Sequence, residues 1–389
     1  MHPPDLSPSA QDVVIKMVGE NIDRVVSVEL RSYGVVPRVY AAARAEVGYP
    51  LSMAAARLLA ERVRPGGTVL VLTGFPVMPY ELPETDGPGG AAAIARTLNL
   101  AFDVLPVLVA EEAFLPCIRA ACRAAGLNVW DSVEQVRGKR AVVVAPFTRQ
   151  LDQARCMAES LVDNLDPSAV VAVERVGRNR LGEHHSGRGV RLSHLTARLD
   201  YVFEVALERG IATVGIGDLG NELGLGSLRH TVEQVTVYGA RCECPCQAGM
   251  ACDVRSDVPV VAGVSEWGAY GVCAALAYLL ADPDLLHSAA IEEDILHACA
   301  AAGAIDGPTG RPIPWVDGIE TSYHTRLVEQ LHDLIRSPAR LYGLYRSAYE
   351  RSAEIDSALR PPPRPRLHEP HAPSSSRTRP PITTTSCGQ

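Results

Sequence analysis

The chain has 389 residues, 47% of them apolar, with a formal net charge of −8 and ten cysteines. That apolar share is enough for a sizeable core, and the acidic balance argues against a nucleic-acid partner, which would want a basic face. No stretch reaches the ~18 apolar residues of a membrane span. The amino terminus also lacks a basic region followed by an apolar one, so a soluble cytoplasmic protein without a secretory signal is expected.

Residues 1–12, with Pro3, Pro4 and Pro8, read as a disordered amino terminus. Helical patterns follow at 12–18 and 50–63. Beyond them strand and helix alternate. Strands are expected at 68–73, 103–109, 141–145, 169–174, 211–217, 233–238 and 258–264. Helices are expected at 89–99, 111–125, 149–163, 267–281, 284–302 and 320–358, the last broken near Ser337-Pro338. This spacing predicts an α/β fold over residues 13–338, a mostly parallel sheet flanked by helices on both faces. Residues 339–359 read as a C-terminal helix, and 360–389, made of Pro, Ser, Thr and Arg with few apolar residues, as a disordered tail.

Three strand ends carry acids. The run Thr68 to Thr73 ends in Gly74 and leads into Pro83-Glu84-Thr85-Asp86-Gly87-Pro88 ahead of an alanine-rich helix. The run Ala169 to Val173 delivers Glu174 and Arg175, with Arg178, His184 and His185 further along the same loop. The run Ile211 to Val214 delivers Gly215-Ile216-Gly217-Asp218-Leu219-Gly220-Asn221-Glu222, dense in glycine. Glycine allows positive φ and close approach of backbone to ligand, and carboxyl ends of strands are where open α/β sheets place their sites. The Gly215-x-Gly217-x-x-Gly220 spacing fits a dinucleotide fingerprint nominally, but Asp218 would meet a pyrophosphate with like charge. No nucleotide cofactor is expected. Acids in such loops suit a cation or an ammonium group.

The cysteines include Cys242-Glu243-Cys244-Pro245-Cys246, with Cys252 six residues later. Thiolates this close can hold zinc, another soft metal or an iron–sulfur cluster. Cys-x-Cys-x-Cys lacks the two-residue gap of zinc hairpins, however, and no second Cys-x-x-Cys pair follows, so oxidation-prone free thiols are the competing reading.

Four ordered blocks resemble the D-glutamate cyclase-like C-terminal family over roughly residues 15–335. They are Thr73-Gly74-Phe75 with Pro83-Glu84-Thr85-Asp86-Gly87-Pro88, Glu174-Arg175-Val176-Gly177-Arg178, the glycine loop 215–226, and Ala251-Cys252-Asp253-Val254 with Gly263-Val264-Ser265-Glu266-Trp267-Gly268. Leu219 stands where the family usually has glycine, adding a side chain in the tightest part of the loop, and Glu266 where it has asparagine, so a shift towards a more cationic ligand is expected if Glu266 touches substrate.

The resemblance implies closure of D-glutamate, or a related amino acid, to 5-oxo-D-proline with loss of water, a hydro-lyase reaction. The α-amine must lose a proton and the γ-carboxyl must become an electrophile. Asp218 or Glu222 could take the ammonium proton. A divalent ion, Mg or Mn, held by Glu84, Asp86, Glu174 and Asp218 could polarise the carboxyl. Arg175 and Arg178 could clamp the α-carboxylate, and His184 or His185 could protonate the departing oxygen. Asn221, Thr85, Glu266 and Trp267 complete the candidate substrate-binding set, with Glu174 also among the catalytic candidates. The partner is thus a small amino acid, with neither nucleic acid nor membrane, and a homo-oligomer is compatible with the sequence. Two other readings stay open: a metal-dependent hydrolase of a small metabolite, phosphorylated or not, and an amino-acid- or metal-binding module without catalysis.

Overall fold

A computed structural model describes residues 8–31 and 33–359. Three helices come first: α1 Pro8–Val26, α2 Val36–Val47 and α3 Leu51–Arg62. Strand β1 (Thr68–Gly74) then leads through the short hairpin β2 (Pro76–Val77) and β3 (Leu82–Pro83) into α4 (Pro88–Phe102). Next come β4 (Leu105–Ala110), α5 (Leu115–Ala124), β5 (Asn128–Trp130), β6 (Ala141–Pro146), α6 (Leu151–Leu165) and β7 (Pro167–Arg175). The chain continues through α7 (Asp200–Glu208), β8 (Ala212–Gly217), α8 (Arg229–Val235) and β9 (Val258–Val261). The described residues end with α9 (Ser265–Leu279), α10 (Ala289–Ala301) and α11 (Thr321–Leu359).

Seven strands form one sheet in the order β5-β6-β4-β1-β7-β8-β9, every pair parallel. Parallel strands covered on both faces read as continuous apolar runs, which is why β1, β4, β6, β7 and β8 are visible in the sequence. Along β1, Val69 and Val71 face one core and Leu70 and Leu72 the other. The first core is large, built with α1 to α5, α9 and α10. The second is smaller, and α6 and α7 supply much of it.

The chain leaves β1 towards β4 on one side and later returns to β7 on the other. The order therefore reverses between β1 and β7, and the carboxyl ends of those two strands open the crevice where such sheets bind ligands. The register adds a local device. Thr73 pairs with Val173 and Gly74 with Arg175, so Glu174 is the extra residue of a bulge. Its φ of 40° lies in the left-handed region. A bulge re-aims a side chain, and here the re-aimed side chain is a carboxylate.

Several elements differ from the sequence-based expectation. Residues 8–12 are helical, the first turns of α1, where a disordered terminus was expected. Residues 233–238 finish α8 and a turn and form no strand. Val235 and Thr236 mimic a strand pattern, but the segment has no neighbouring strand to pair with. The helix α11 is continuous through Pro338 with no break, although a proline there removes one backbone hydrogen bond and crowds the carbonyl four residues back. Helices α2 and α7 and the three-residue β5 were not foreseen. Contacts divide the chain into a unit ending at Tyr342 and a second starting at Gly343. In the second unit the described residues, 343–359, are the last turns of α11. The expectations for 1–7 and 360–389 lie outside the described residues. No described helix is long and apolar enough to cross a membrane.

Candidate active site

A cavity of about 780 Å³ opens at the crevice and is lined by Glu84, Glu174, Asp218, Leu219, Asn221, Glu222 and Asp317, together with Arg31, Arg188 and an apolar wall that includes Phe75, Val77 and Met78. Three acidic loops supply the carboxylates. Glu84 follows the β2–β3 hairpin, its backbone N–H donating to Phe75 O at 2.9 Å. Glu174 stands on the bulge of β7 and accepts a short hydrogen bond from Ser265 Oγ. Asp218 follows β8 directly.

The glycines of the third loop are there for close packing. A Cβ on Gly215 would fall 2.6 Å from the Cα of Gly224, so the loop folds back on the strand that launched it. Gly220, at φ 93°, makes the turn. Glu222 then closes the loop on itself, accepting the N–H groups of Leu219 (3.1 Å) and Gly220 (2.7 Å). Leu219, the departure from the family pattern, has no positive φ to sustain and lies against Gly187 at the cavity wall.

Burial and mutual repulsion push Glu84, Asp86, Glu174, Glu222 and Asp317 towards their neutral forms. Glu84 is raised well above the usual carboxylate range by burial and by Asp317 and Asp218. Asp86 is raised by burial, Asp317 and Glu266, and Glu174 by burial, Asp218 and Asp86. Glu222 is pushed up to about 8 by burial and Asp218. Asp317 rises to about 7 through burial, despite Arg31 beside it. The cluster is short of positive charge. Arg31 supplies some: its guanidinium pairs with Asp218, reaches Asp317 Oδ2 at 2.9 Å and donates to Gly263 O at 3.0 Å. Burial opposes that charge, but Asp218 and Asp317 hold the guanidinium ionised.

Two triads of carboxylates have oxygens within 4.8 Å of one another: Asp86 with Asp218 and Asp317, and Glu174 with Asp218 and Glu222. Both consist of hard oxygen donors, the set that Mg²⁺ or Mn²⁺ takes, and Asp218 belongs to both.

The structure brings Glu84, Glu174, Asp218, Asn221 and Glu222 together at the cavity. Other candidates are placed elsewhere. Arg175 is fully buried behind β1, pairing with Glu111 at 2.7 Å and donating to Gly74 O and Ala197 O. Arg178 pairs with Glu204. His184 is fully buried, its Nε2 2.7 Å from Asp200 Oδ2 and its Nδ1 3.2 Å from the Arg198 guanidinium. Burial would raise Asp200, but His184 brings it down to about 2. Arg175 and Arg178 are committed to ion pairs and His184 to a hydrogen bond with Asp200, and these contacts hold the loop 176–199. Thr85 donates from Oγ1 to Trp315 O at 2.7 Å. Trp267 donates from Nε1 to His324 at 2.9 Å. None of these five lines the cavity.

Glu266 is a structural cap. Its Oε1 accepts the N–H groups of Gly89 (2.8 Å) and Gly90 (3.3 Å) in the first turn of α4. Asp86, just before α4, reciprocates by accepting the N–H groups of Ser265 (3.2 Å) and Glu266 (3.0 Å) at the start of α9. The altered residue therefore joins two helix amino termini and does not touch the cavity, which removes the sequence-based reason to expect a more cationic ligand. Arg31, Asp317 and Arg188 were not foreseen. Arg31 and Arg188 sit in segments with no recognisable pattern. Asp317, at φ 56°, precedes a glycine, a turn signal and nothing more.

Crevice, buried acids and hard-donor triads together define an α/β protein with a carboxylate-rich cavity at the switch point of a parallel sheet. The D-glutamate cyclase-like, C-terminal family matches residues 22–332, and the chain belongs to that family. It is 34% identical over 221 residues to human mitochondrial D-glutamate cyclase, a match covering 55% of this chain and 33% of that protein. All four cavity acids nominated from the sequence fall inside the family-matched stretch.

Proposed function

We propose that this protein closes D-glutamate to 5-oxo-D-proline with loss of water. The observation that carries the reading is the buried, positive-charge-deficient carboxylate cluster at the switch-point cavity of a chain in this family. An amino acid brings an ammonium group to the acids. Its carboxylates have the exposed Arg188 of the cavity wall as a counterion.

In the reaction the α-nitrogen bonds to the γ-carboxyl carbon and one C–O bond breaks. Two protons leave nitrogen, and both end on the departing oxygen as water. Glu222, raised to about 8, is matched to accept the ammonium proton near neutral pH. Burial, Asp218 and Asp86 raise Glu174 above the usual carboxylate range, a shift in the direction that suits a proton donor to the leaving oxygen. Glu174 takes the role the sequence suggested for His184. Asp218 pairs with Arg31 and sits between the two triads, keeping the amine close to both acids. A hard divalent ion fits the other triad, Asp86, Asp218 and Asp317, by donor type, leaving Glu174 and Glu222 free for proton transfer, and when bound it would supply Lewis-acid polarisation of the carboxyl.

The test is incubation of the purified chain with D- and L-glutamate, with and without Mg²⁺ or Mn²⁺, followed by chiral chromatography of 5-oxoproline. D-lactam alone is expected, with Asp218→Asn and Glu174→Gln each reducing turnover at least about 100-fold while the circular dichroism stays unchanged. D-Glutamate left intact after long incubation overturns the reading. One observation favours metal-dependent hydrolysis instead: Asp218 is shared between two triads, the layout of a bridging carboxylate in a two-metal site. Phosphatase activity with more than one tightly bound hard ion per chain would select it.

A further inference from the structure

Away from the acid cluster, four soft donors converge. His185 Nε2 lies 3.2 Å from Cys244 Sγ and 3.6 Å from Cys246 Sγ. The sulfurs of Cys242, Cys244 and Cys246 are 3.3–3.4 Å apart, and all four donor atoms lie within 4.8 Å of one another. Cys252 stays out, with its Sγ directed at Val254 O. The sulfur separations are far longer than a disulfide's ~2.05 Å. They approach the edge of a tetrahedron around zinc, about 3.8 Å for Zn–S bonds of about 2.3 Å. An outward shift of ~0.3 Å per sulfur would make the fit ideal. Cys-x-Cys-x-Cys is unpromising as a zinc hairpin in sequence because it lacks its fourth ligand. The fold supplies that ligand from residue 185, on another segment.

We infer that His185, Cys242, Cys244 and Cys246 form a closed, tetrahedral zinc site whose role is structural. Three thiolates and an imidazole select a soft, four-coordinate ion over the hard cation suited to the acid cluster. With every position filled by protein there is no open site for substrate or water.

The location explains what the ion is for. Residues 176–199 and 236–257 contain no helix and only isolated bridges. Irregular segments of this length need their own means of ordering. His185 belongs to the first and the cysteines to the second, so one ion fastens the two together. Surrounding contacts converge on the same point. Asn179 donates to Gly249 O at 2.7 Å and to Cys246 Sγ at 3.7 Å, and Asn221 of the glycine loop donates to His185 O at 3.0 Å. Both segments also wall the active-site cavity, the first through Ser186 and Arg188, the second through Tyr238 and Met250. The zinc site therefore fixes one side of that cavity from outside it.

The test uses the full chain purified under reducing conditions without chelator. About one zinc ion per chain is expected by elemental analysis, surviving dialysis and released by a thiol-directed mercurial. Cys244→Ser and Cys246→Ser should each lower the retained zinc at least tenfold, whereas Cys156→Ser, at an exposed cysteine elsewhere, should not. Because the cluster variants could fail to fold, the unaltered chain, stripped of metal and reduced, is also titrated with Co²⁺. A thiolate-to-cobalt charge-transfer band with the intense d–d bands of tetrahedral geometry supports the site. Folded protein with less than about a tenth of an ion per chain and no such bands overturns it. So does zinc retained undiminished in the folded Cys244→Ser and Cys246→Ser variants, or iron bound in place of zinc.

Discussion

Arg31 sets one guanidinium against both Asp218 and Asp317, within the carboxylate cluster. Breaking a largely buried pair by deleting one partner leaves the other charge uncompensated, at a cost on the order of 3 kcal/mol. Arg31→Gln should therefore lower the melting temperature at pH 7.5 by about 4 °C. The deficit should shrink at pH 6, because Asp317, at about 7 with Arg31 present, is then protonated. Thermal melts of both proteins at the two pH values check this, and an equal loss at both would show that the charge on Asp317 is not the cause. Neither Arg31 nor Asp317 is legible in the sequence. Arg31 is 187 positions from Asp218 and 286 from Asp317, and only the tertiary fold brings the three together. Asp218, Glu222 and Glu174 are legible because each is announced locally, by a buried strand running into glycines and acids.

Helices α4 and α9 meet at their amino termini, and each is capped by a carboxylate from beside or within the other. Asp86 takes the first N–H groups of α9, and Glu266 takes those of α4. A lost cap costs about 0.5–2 kcal/mol, and here an orphaned buried N–H adds to it. Glu266 also accepts a hydrogen bond from Tyr270 OH at 3.1 Å. Glu266→Ala should lower the melting temperature by several degrees, while KM for the substrate stays within about twofold, since Glu266 does not reach the cavity. A large rise in KM with unchanged stability would return Glu266 to the substrate site. The same distinction governs which elements can be read from the chain. Strands β1, β4, β6, β7 and β8 are buried on both faces, so composition alone marks them. The three-residue β5 at the sheet edge and the seven-residue α8 are too short for a period to declare itself.

Across the whole molecule the buried titratable groups favour a narrow range of pH. Glu84, Asp86, Glu174, Glu222, Asp317, Glu266 and Glu292 are all raised, chiefly by burial, with Glu222 and Glu292 near 8 and Asp317 near 7. A carboxyl raised on folding contributes stability that is whole below its unfolded value and is lost as pH rises through its folded value. Buried His287 and His324, lowered by burial to about 3 and about 4, act oppositely: they cost stability as pH falls below the ordinary imidazole value of about 6.5. Below pH 6.5 the two groups compete. Above it the unfolded imidazoles are neutral and the carboxyls act alone, so the sign is fixed: the native chain holds more protons than the unfolded one. With the acid cluster free of hard cations, the melting temperature should fall steadily from pH 6.5 to pH 8. A divalent ion bound by the folded site adds RT ln(1 + [L]/Kd), and it meets ionised carboxylates more often at the higher pH. Saturating Mg²⁺ or Mn²⁺ should therefore raise the melting temperature more at pH 8 than at pH 6.5, flattening the decline. Scanning calorimetry across that range, with and without the ion, measures both slopes. A melting temperature that rises towards pH 8 without the ion would mean that the carboxylates are ionised in the native state, and Glu222 could not then serve as a base matched to an ammonium group.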